Sequence, residues 1–334
     1  MNRKYFFILL WILVSQQLWG QDFHFSQFYA SPLNLNPALT GRFDGNMRFT
    51  GIYRTQWSGI NTNTYLYQTP SASVEYNLFN QKASIGALFV NDQTNDKTFN
   101  TLLGGLSFSY KVLFEKFQLS IGLQGTYTQT SLDRNKISGG SIQIEPSTNT
   151  AINKFDFNAG IFGNYNINEK NILYFGLSSF HLLTPKDNFV SDVAIKNLPL
   201  KFIIHSGAEL KISSKISTIP GALISYQAKA TETNIGNTFS YQVTDDRDYN
   251  LYLFAGIWSR INVLRIESLI PKVGIEYKKI RVTASYDYNI NQIGNDVSNA
   301  NNNIPNTFEL SMNYILKTNK GKEYEDCFIF NPRF

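Results

Sequence analysis

One cysteine, Cys327, stands in a chain of 334 residues, so no internal disulfide can form and a disulfide-stapled fold is excluded. Histidine is nearly as scarce. None of His24, His181 and His205 is accompanied by a serine and an acid at a recognisable spacing, so the sequence supports no enzyme class. No metal or cofactor is expected. The densest acidic run, Asp245, Asp246 and Asp248, is broken by Arg247 and lacks the glycine-centred loop of a calcium site, which makes it a solvated turn. Charged residues are only 16% of the chain and no basic cluster occurs, so nucleic acid is not a partner. There is also no run of 18 apolar residues, and the mean hydropathy is −0.22. Helical membrane spans are therefore excluded. Strands that alternate lipid-facing and lumen-facing residues are not, because their two faces cancel in the average.

What the chain does have is aromatic residues, at 15% with 19 Tyr and 26 Phe, and long period-two alternation. In Lys272–Ile290, Val273, Ile275 and Tyr277 share one face and Lys272, Glu276 and Lys278 the other. After a short polar break, Val282, Ala284, Tyr286, Tyr288 and Ile290 oppose Arg281, Thr283, Ser285, Asp287 and Asn289. Period two is the mark of a strand. A strand tilted about 45° crosses hydrocarbon in roughly 9–11 residues, the length seen here, and the two tyrosines near one end suit an aromatic girdle. The expected fold is all-β: a transmembrane antiparallel β-barrel of about 14 strands, with an irregular N-terminal periplasmic or plug-like segment.

The chain divides accordingly. Residues 1–20 have the form of a secretory signal peptide, with Arg3 and Lys4 before an apolar YFFILLWILV run. Their loss takes the formal charge from +5 to +3. Residues 21–45 carry Phe23, Phe25, Phe28 and Tyr29, while Pro32 and Pro37 prevent both helix and central strand. Residues 46–317 form the barrel and 318–334 a periplasmic tail. The first strand runs through Met47–Trp57, and others span 64–79, 82–91, 101–113, 116–130, 155–167, 171–180, 199–212, 216–228, 233–243, 249–258 and 306–316, with the 272–290 hairpin completing the count. An even number places both termini on the periplasmic side with connections alternating short and long; the connections after strands nine and ten do not discriminate, so twelve or sixteen strands remain open. Ser131–Lys154 is a long polar loop. Arg48, Arg54, Lys82, Glu75, Glu276, Arg281 and Glu309 fall on polar faces, where charges either cross-link the lumen wall or select ions. His205 shares the lumen face, His24 packs with its aromatic neighbours, and His181 ends a strand.

Several stretches resemble a known family. His24–Tyr29, HFSQFY, and Asn36–Gly41, NPALTG, are similar to the opening of the PorP/SprF outer-membrane proteins of the type IX secretion and gliding systems, although Phe23 stands where that family usually has proline. FDFNAGIFGNY and ILYFGLSSFHLL resemble its middle hairpin, and the tail, with Cys327 displaced, its ending. The resemblance implies an outer-membrane component that serves particular secreted, surface-retained clients such as an adhesin, and that contacts periplasmic and outer-membrane secretion components. The aromatic, proline-bent segment then becomes either a plug or a partner-binding surface, with Phe25, Phe28, Tyr29, Asn36 and Pro37 as the candidate partner-binding residues. A passive pore or small-molecule transporter is the alternative.

Overall fold

A computed structural model describes residues 22–317, apart from 62–63, 80, 95–96, 134–135, 137–149, 169, 188–196, 245–249, 263–264 and 291–305. The stretch 1–20 expected to be a signal peptide, the acidic run at 245–248, Cys327 and the tail lie outside the described residues.

Fourteen antiparallel strands close into a barrel. They are β1 Met47–Asn61, β2 Thr64–Leu78, β3 Ala83–Thr94, β4 Phe99–Leu113, β5 Phe117–Leu132, β6 Ala151–Asn168, β7 Asn171–Phe180, β8 Lys201–Lys211, β9 Ile216–Gln227, β10 Ala230–Thr244, β11 Leu251–Asn262, β12 Arg265–Tyr277, β13 Ile280–Asn289 and β14 Asn306–Leu316. Each pairs with its sequence neighbours, and β1 meets β14 in the register Arg54↔Glu309 to complete the ring. No described edge is left open, as hydrocarbon requires, because an unpaired amide there would cost several kcal/mol.

The alternation sets the faces. Leu106, Leu123, Ile161, Phe175 and Val273 project outward, exposed, into what is lipid in place. Tyr286 and Tyr288 point out with Ala284 on the same side, while Ser285 and Asp287 are buried in the lumen. A tight turn at Ala228–Lys229, both residues at positive φ, joins β9 to β10. This settles the ambiguous connection and the strand count at fourteen. Strand ends run further than alternation indicated: β12 begins at Arg265 and not Lys272, and β5 and β6 extend to Leu132 and from Ala151 into the presumed 131–154 loop. The β5 and β6 extensions are too short to show a period, and in RIESLIP at 265–271 the adjacent Leu269 and Ile270 and the following Pro271 blur it, so alternation carries no clear signal there although the ladder continues.

The connections β3–β4, β5–β6, β7–β8 and β13–β14 lie at one end, and the start of β1 and the end of β14 at the other. In an outer-membrane barrel the end with the longer loops faces outside and the end with short turns faces the periplasm. Residues 22–45 occupy the lumen as three single turns of helix, Phe28–Ala30, Pro32–Leu35 and Pro37–Leu39. The prolines exclude anything longer than a turn, yet each opens one, since the missing N–H is an orphan at that position anyway.

Candidate functional site

The segment crosses the lumen from outside to inside. Asp22 sits against the outer ends of β7, β8 and β9, through His181, Lys201 and Gln227. Gly41 and Asn46, at the other extreme, bond to Glu75 and to the Leu316 carbonyl near the periplasmic rim. The segment is therefore tied at both ends.

Its upper part is held by charge. Glu309, fully buried, accepts the backbone N–H groups of Ser26 at 2.6 Å and Gln27 at 2.7 Å and pairs with Arg54. Ser26 Oγ donates to Asp287 at 2.6 Å and accepts from Arg54 at 2.8 Å and Arg260 at 2.5 Å. The Gln27 amide donates to Ser285 and to the Glu309 carbonyl and accepts from Ser311. A two-residue stretch thus completes a network drawn from β1, β11, β13 and β14. Buried charges of this kind need partners, and each charged side chain here has at least one, although Asp287 Oδ1 and Arg260 Nε have no hydrogen bond among the described residues.

Below it, Phe28 and Tyr29 pack on Trp258 with ring centroids 5.4 and 5.6 Å apart, and the Lys272 ammonium lies 4.0 Å over the Tyr29 ring and bonds its hydroxyl. Burial raises the Tyr29 phenol well above its usual range, keeping it protonated. Leu35, Ala38 and Leu39 enter an apolar seat made by Phe162, Tyr174, Phe180, Ile203 and Leu223, and Leu33 packs on Leu88 and Val90. Asn36, fully buried, accepts from the Ala38 N–H and donates to the Ile161 and Leu177 carbonyls, with His205 Nε2 3.2 Å away. The wall makes room with glycine: a Cβ at Gly122 would overlap Pro37 and one at Gly160 would overlap Asn36. Gly41 itself, at φ +71, adopts a backbone that L side chains rarely take. At the inner end Arg42 donates to Gln118 and Asn164 and lies over Phe162, with burial pulling its guanidinium down to about 9.

Above the segment lies a chamber of about 540 Å³ at the long-loop end. His181 stands at its edge, at φ +64, between two carboxylates: Nε2 is 2.7 Å from Asp22 and Nδ1 2.8 Å from Asp156. Burial opposes the charged ring, but the two carboxylates outweigh it and raise the imidazole to about 9. Asp22 is correspondingly held below the usual carboxylate range, burial being overcome by Lys201 and His181. His24 is the reverse case. Burial, with Arg260 and Arg54 nearby, brings it to about 3 against the pull of Glu232, so its 3.6 Å approach to Glu232 is that of a neutral ring.

A family model described as type IX secretion system membrane protein PorP/SprF matches residues 18–314. The chain belongs to that family. No curated protein matches it. Among solved structures, a TodX deletion mutant of a monoaromatic hydrocarbon channel is similar at TM-score 0.54 and 10% identity, covering 85% of this chain and 93% of the other. The Ralstonia pickettii toluene transporter TbuX follows at TM-score 0.51 and 9% identity, with 84% and 92% covered. The Pseudomonas putida toluene transporter TodX stands at 0.51 and 12%, with 85% and 92% covered. At such identity these likenesses establish the fold, an outer-membrane barrel, and nothing of what passes through it.

Within this PorP/SprF barrel the five candidate partner-binding residues lie together inside the lumen. Phe25, Asn36 and Pro37 are buried, and Phe28 and Tyr29 are half-buried against Trp258. Of the polar-face charges, Arg48–Glu75, Arg54–Glu309 and Glu276–Arg281 form ion pairs across neighbouring strands, whereas Lys82 is exposed in the turn before β3. Sequence reasoning missed the lumen-facing apolar side chains that receive the segment. The available signal was a strand apolar on both faces: ALFV at 87–90, ILYF at 172–175 and LYLF at 251–254 place one set on lipid and Leu88, Val90, Tyr174, Tyr252 and Phe254 inside. Such runs belong to strands covered on both sides. The Asp22–His181–Asp156 group was also missed, because its members are 134 and 25 residues apart in sequence and meet only when the segment rises through the lumen.

Proposed function

We propose that this barrel is a component of the type IX secretion or gliding apparatus that supports secretion or surface attachment of particular client proteins, and that it is not a passive pore. Its partners are outer-membrane lipids around the belt, other secretion components in the periplasm and outer membrane, and a secreted client such as an adhesin. The observation that carries this reading is the use of the lumen. Residues 22–45, which include the family's HFSQFY and NPALTG stretches, fill it through bonds to most of the wall, where a diffusion pore needs free cross-section. Phe25, Phe28, Tyr29, Asn36 and Pro37 hold the segment in that position, and this chain's specialisation lies with them.

The test replaces Phe25, Phe28 and Tyr29 together by alanine. The variant is expected to reach the outer membrane and to keep heat-modifiable gel migration, because the strands satisfy their own backbone bonds and bury their apolar face in lipid. Display of client proteins at the cell surface is expected to fall sharply. Unchanged display with a correctly inserted barrel would remove this segment from the function.

A further inference from the structure

The lower lumen is a worked example of how this wall holds irregular polypeptide. Every strand of the closed sheet already has both neighbours, so an occupant cannot add a strand and must be held by side chains. The occupant seen, residues 22–45, is held in this way: Gln124 donates to the Leu33 carbonyl at 3.1 Å, Ser178 to the Leu35 carbonyl at 2.8 Å and Ser109 to the Thr40 carbonyl at 2.7 Å. Apolar wall residues receive the side chains between those carbonyls.

The same columns continue upward past the segment. Above Gln124 on β5 come Thr126, Thr128 and Thr130; β6 supplies Asn158, β9 Ser225 and Gln227, and β10 Asn234, all lining the 540 Å³ chamber. Its floor is apolar, with Phe23, Phe28 and Leu35. Two of these wall groups are buried and have no partner among the described residues: Gln227 Nε2, a donor, and Asn234 Oδ1, an acceptor. A buried amide left unbonded is unfavourable, so such groups favour an occupant that can bond them. Of the charges lining the chamber, Lys154 pairs with Asp187 at 2.8 Å, His181 with Asp22 and Asp156, and Lys201 lies 3.5 Å from Asp22, while Glu232 lies 3.8 Å from Arg260 and Asp92 accepts from Thr69. The lining carboxylates outnumber the cations, which disfavours a polyanion, and because each charge is already engaged by the wall the chamber offers no free row of one sign to a polycation. It suits a chain of alternating amides and modest side chains, and its volume is that of an ordinary ligand site.

We propose that this outward-facing chamber is a binding site for an extended, low-charge polypeptide segment of a client, held through its carbonyls and amides as the wall holds residues 22–45. The proposal rests on the secretion reading and gives that reading a site and a ligand chemistry.

The experiment uses the full-length protein in living cells, with p-benzoylphenylalanine at Thr128 on the chamber wall or at lipid-facing Tyr127 as control. Cross-linked products are mapped by mass spectrometry, and surface proteins are followed by membrane-impermeant biotinylation. The expected result is a cross-link from position 128, and not from 127, to one defined segment of a surface protein that disappears from the biotinylated set when the gene is deleted. Thr128→Trp and Asn234→Trp, which fill the chamber, are expected to abolish that cross-link and the display of that protein while keeping heat-modifiable migration. Cross-links only to glycan, only to this chain's own residues 137–149, or to nothing would overturn the proposal. If the deletion strain loses a protein that inserted, chamber-filled variants still display, the chamber proposal fails and the secretion reading stands. If the deletion leaves the surface set unchanged, the secretion reading fails and the proposal fails with it.

Discussion

Gly122 shows how closely the lumen segment and the wall are fitted, because an added Cβ there would overlap the Pro37–Ala38 peptide. Overpacking of this kind costs about 1–3 kcal/mol. Since the strand ladder of β5 is untouched, the cost falls on the docking of the segment. Gly122→Val is therefore expected to insert normally but to expose a cysteine placed at Ala30, buried in the native lumen, to a water-soluble maleimide; in a Cys327→Ser background the labelling rate measures the undocked fraction. His181 makes a second single-residue test, this time of pH. Its pKa is raised from 6.5 to about 9, so its contribution is complete below pH 6.5 and is lost as pH rises through 9. Asp22 is lowered from 3.8, so its contribution is present above that value and is lost as pH falls below it. The outer end of the segment should be tightest between about pH 4 and 6.5 and should loosen toward pH 9. Maleimide labelling of Phe23→Cys, normalised at each pH to the exposed position Lys97→Cys, is expected to rise across that interval and to lose this dependence in His181→Gln.

Among the elements, the strands were legible and the lumen segment's path was not, for one physical reason. A strand between lipid and lumen has two chemically different faces, and β13 writes that difference residue by residue from Ile280 to Asn289. The segment has no such period: its order comes from Glu309, Asp287 and Arg260 together with Arg54, which is more than 200 residues from each of them and meets them only once β1 closes on β14. The sequence put Arg54 and Glu309 on polar faces and stopped there. It could not say that Ser26 and Gln27 would complete the set, because neither residue type signals a buried ionic network by itself. This seam predicts its own failure mode. Glu309→Ala would strip Arg54 of its partner and leave two backbone N–H groups unbonded, and breaking a buried pair costs about 3–5 kcal/mol. The temperature at which the compact gel form converts to the unfolded form should fall clearly, with a much smaller fall for Glu309→Gln, which keeps an acceptor oxygen in place.

For the whole molecule the question is whether fourteen strands enclose a path or a seat. The ring is of a size that lies between small barrels filled by side chains and open porins of 16–18 strands, so closure alone leaves both outcomes available. What decides between them is residues 22–45, anchored at the outer end by Asp22 and at the inner end by Gly41 and Arg42, with apolar contacts to β3, β6, β7, β8 and β9 between. For the segment to leave, both anchors and the Ser26–Gln27 network would have to break together, an event far rarer than the opening of a surface loop. Purified protein in planar bilayers is therefore expected to conduct little, and removal of residues 22–41 is expected to yield large, stable steps, because the wall needs no segment to satisfy its backbone. Large conductance from the intact chain would favour the transporter reading. Low conductance from the deletion variant, with the barrel shown to be inserted, would mean that the wall side chains or outer loops obstruct the lumen without the segment.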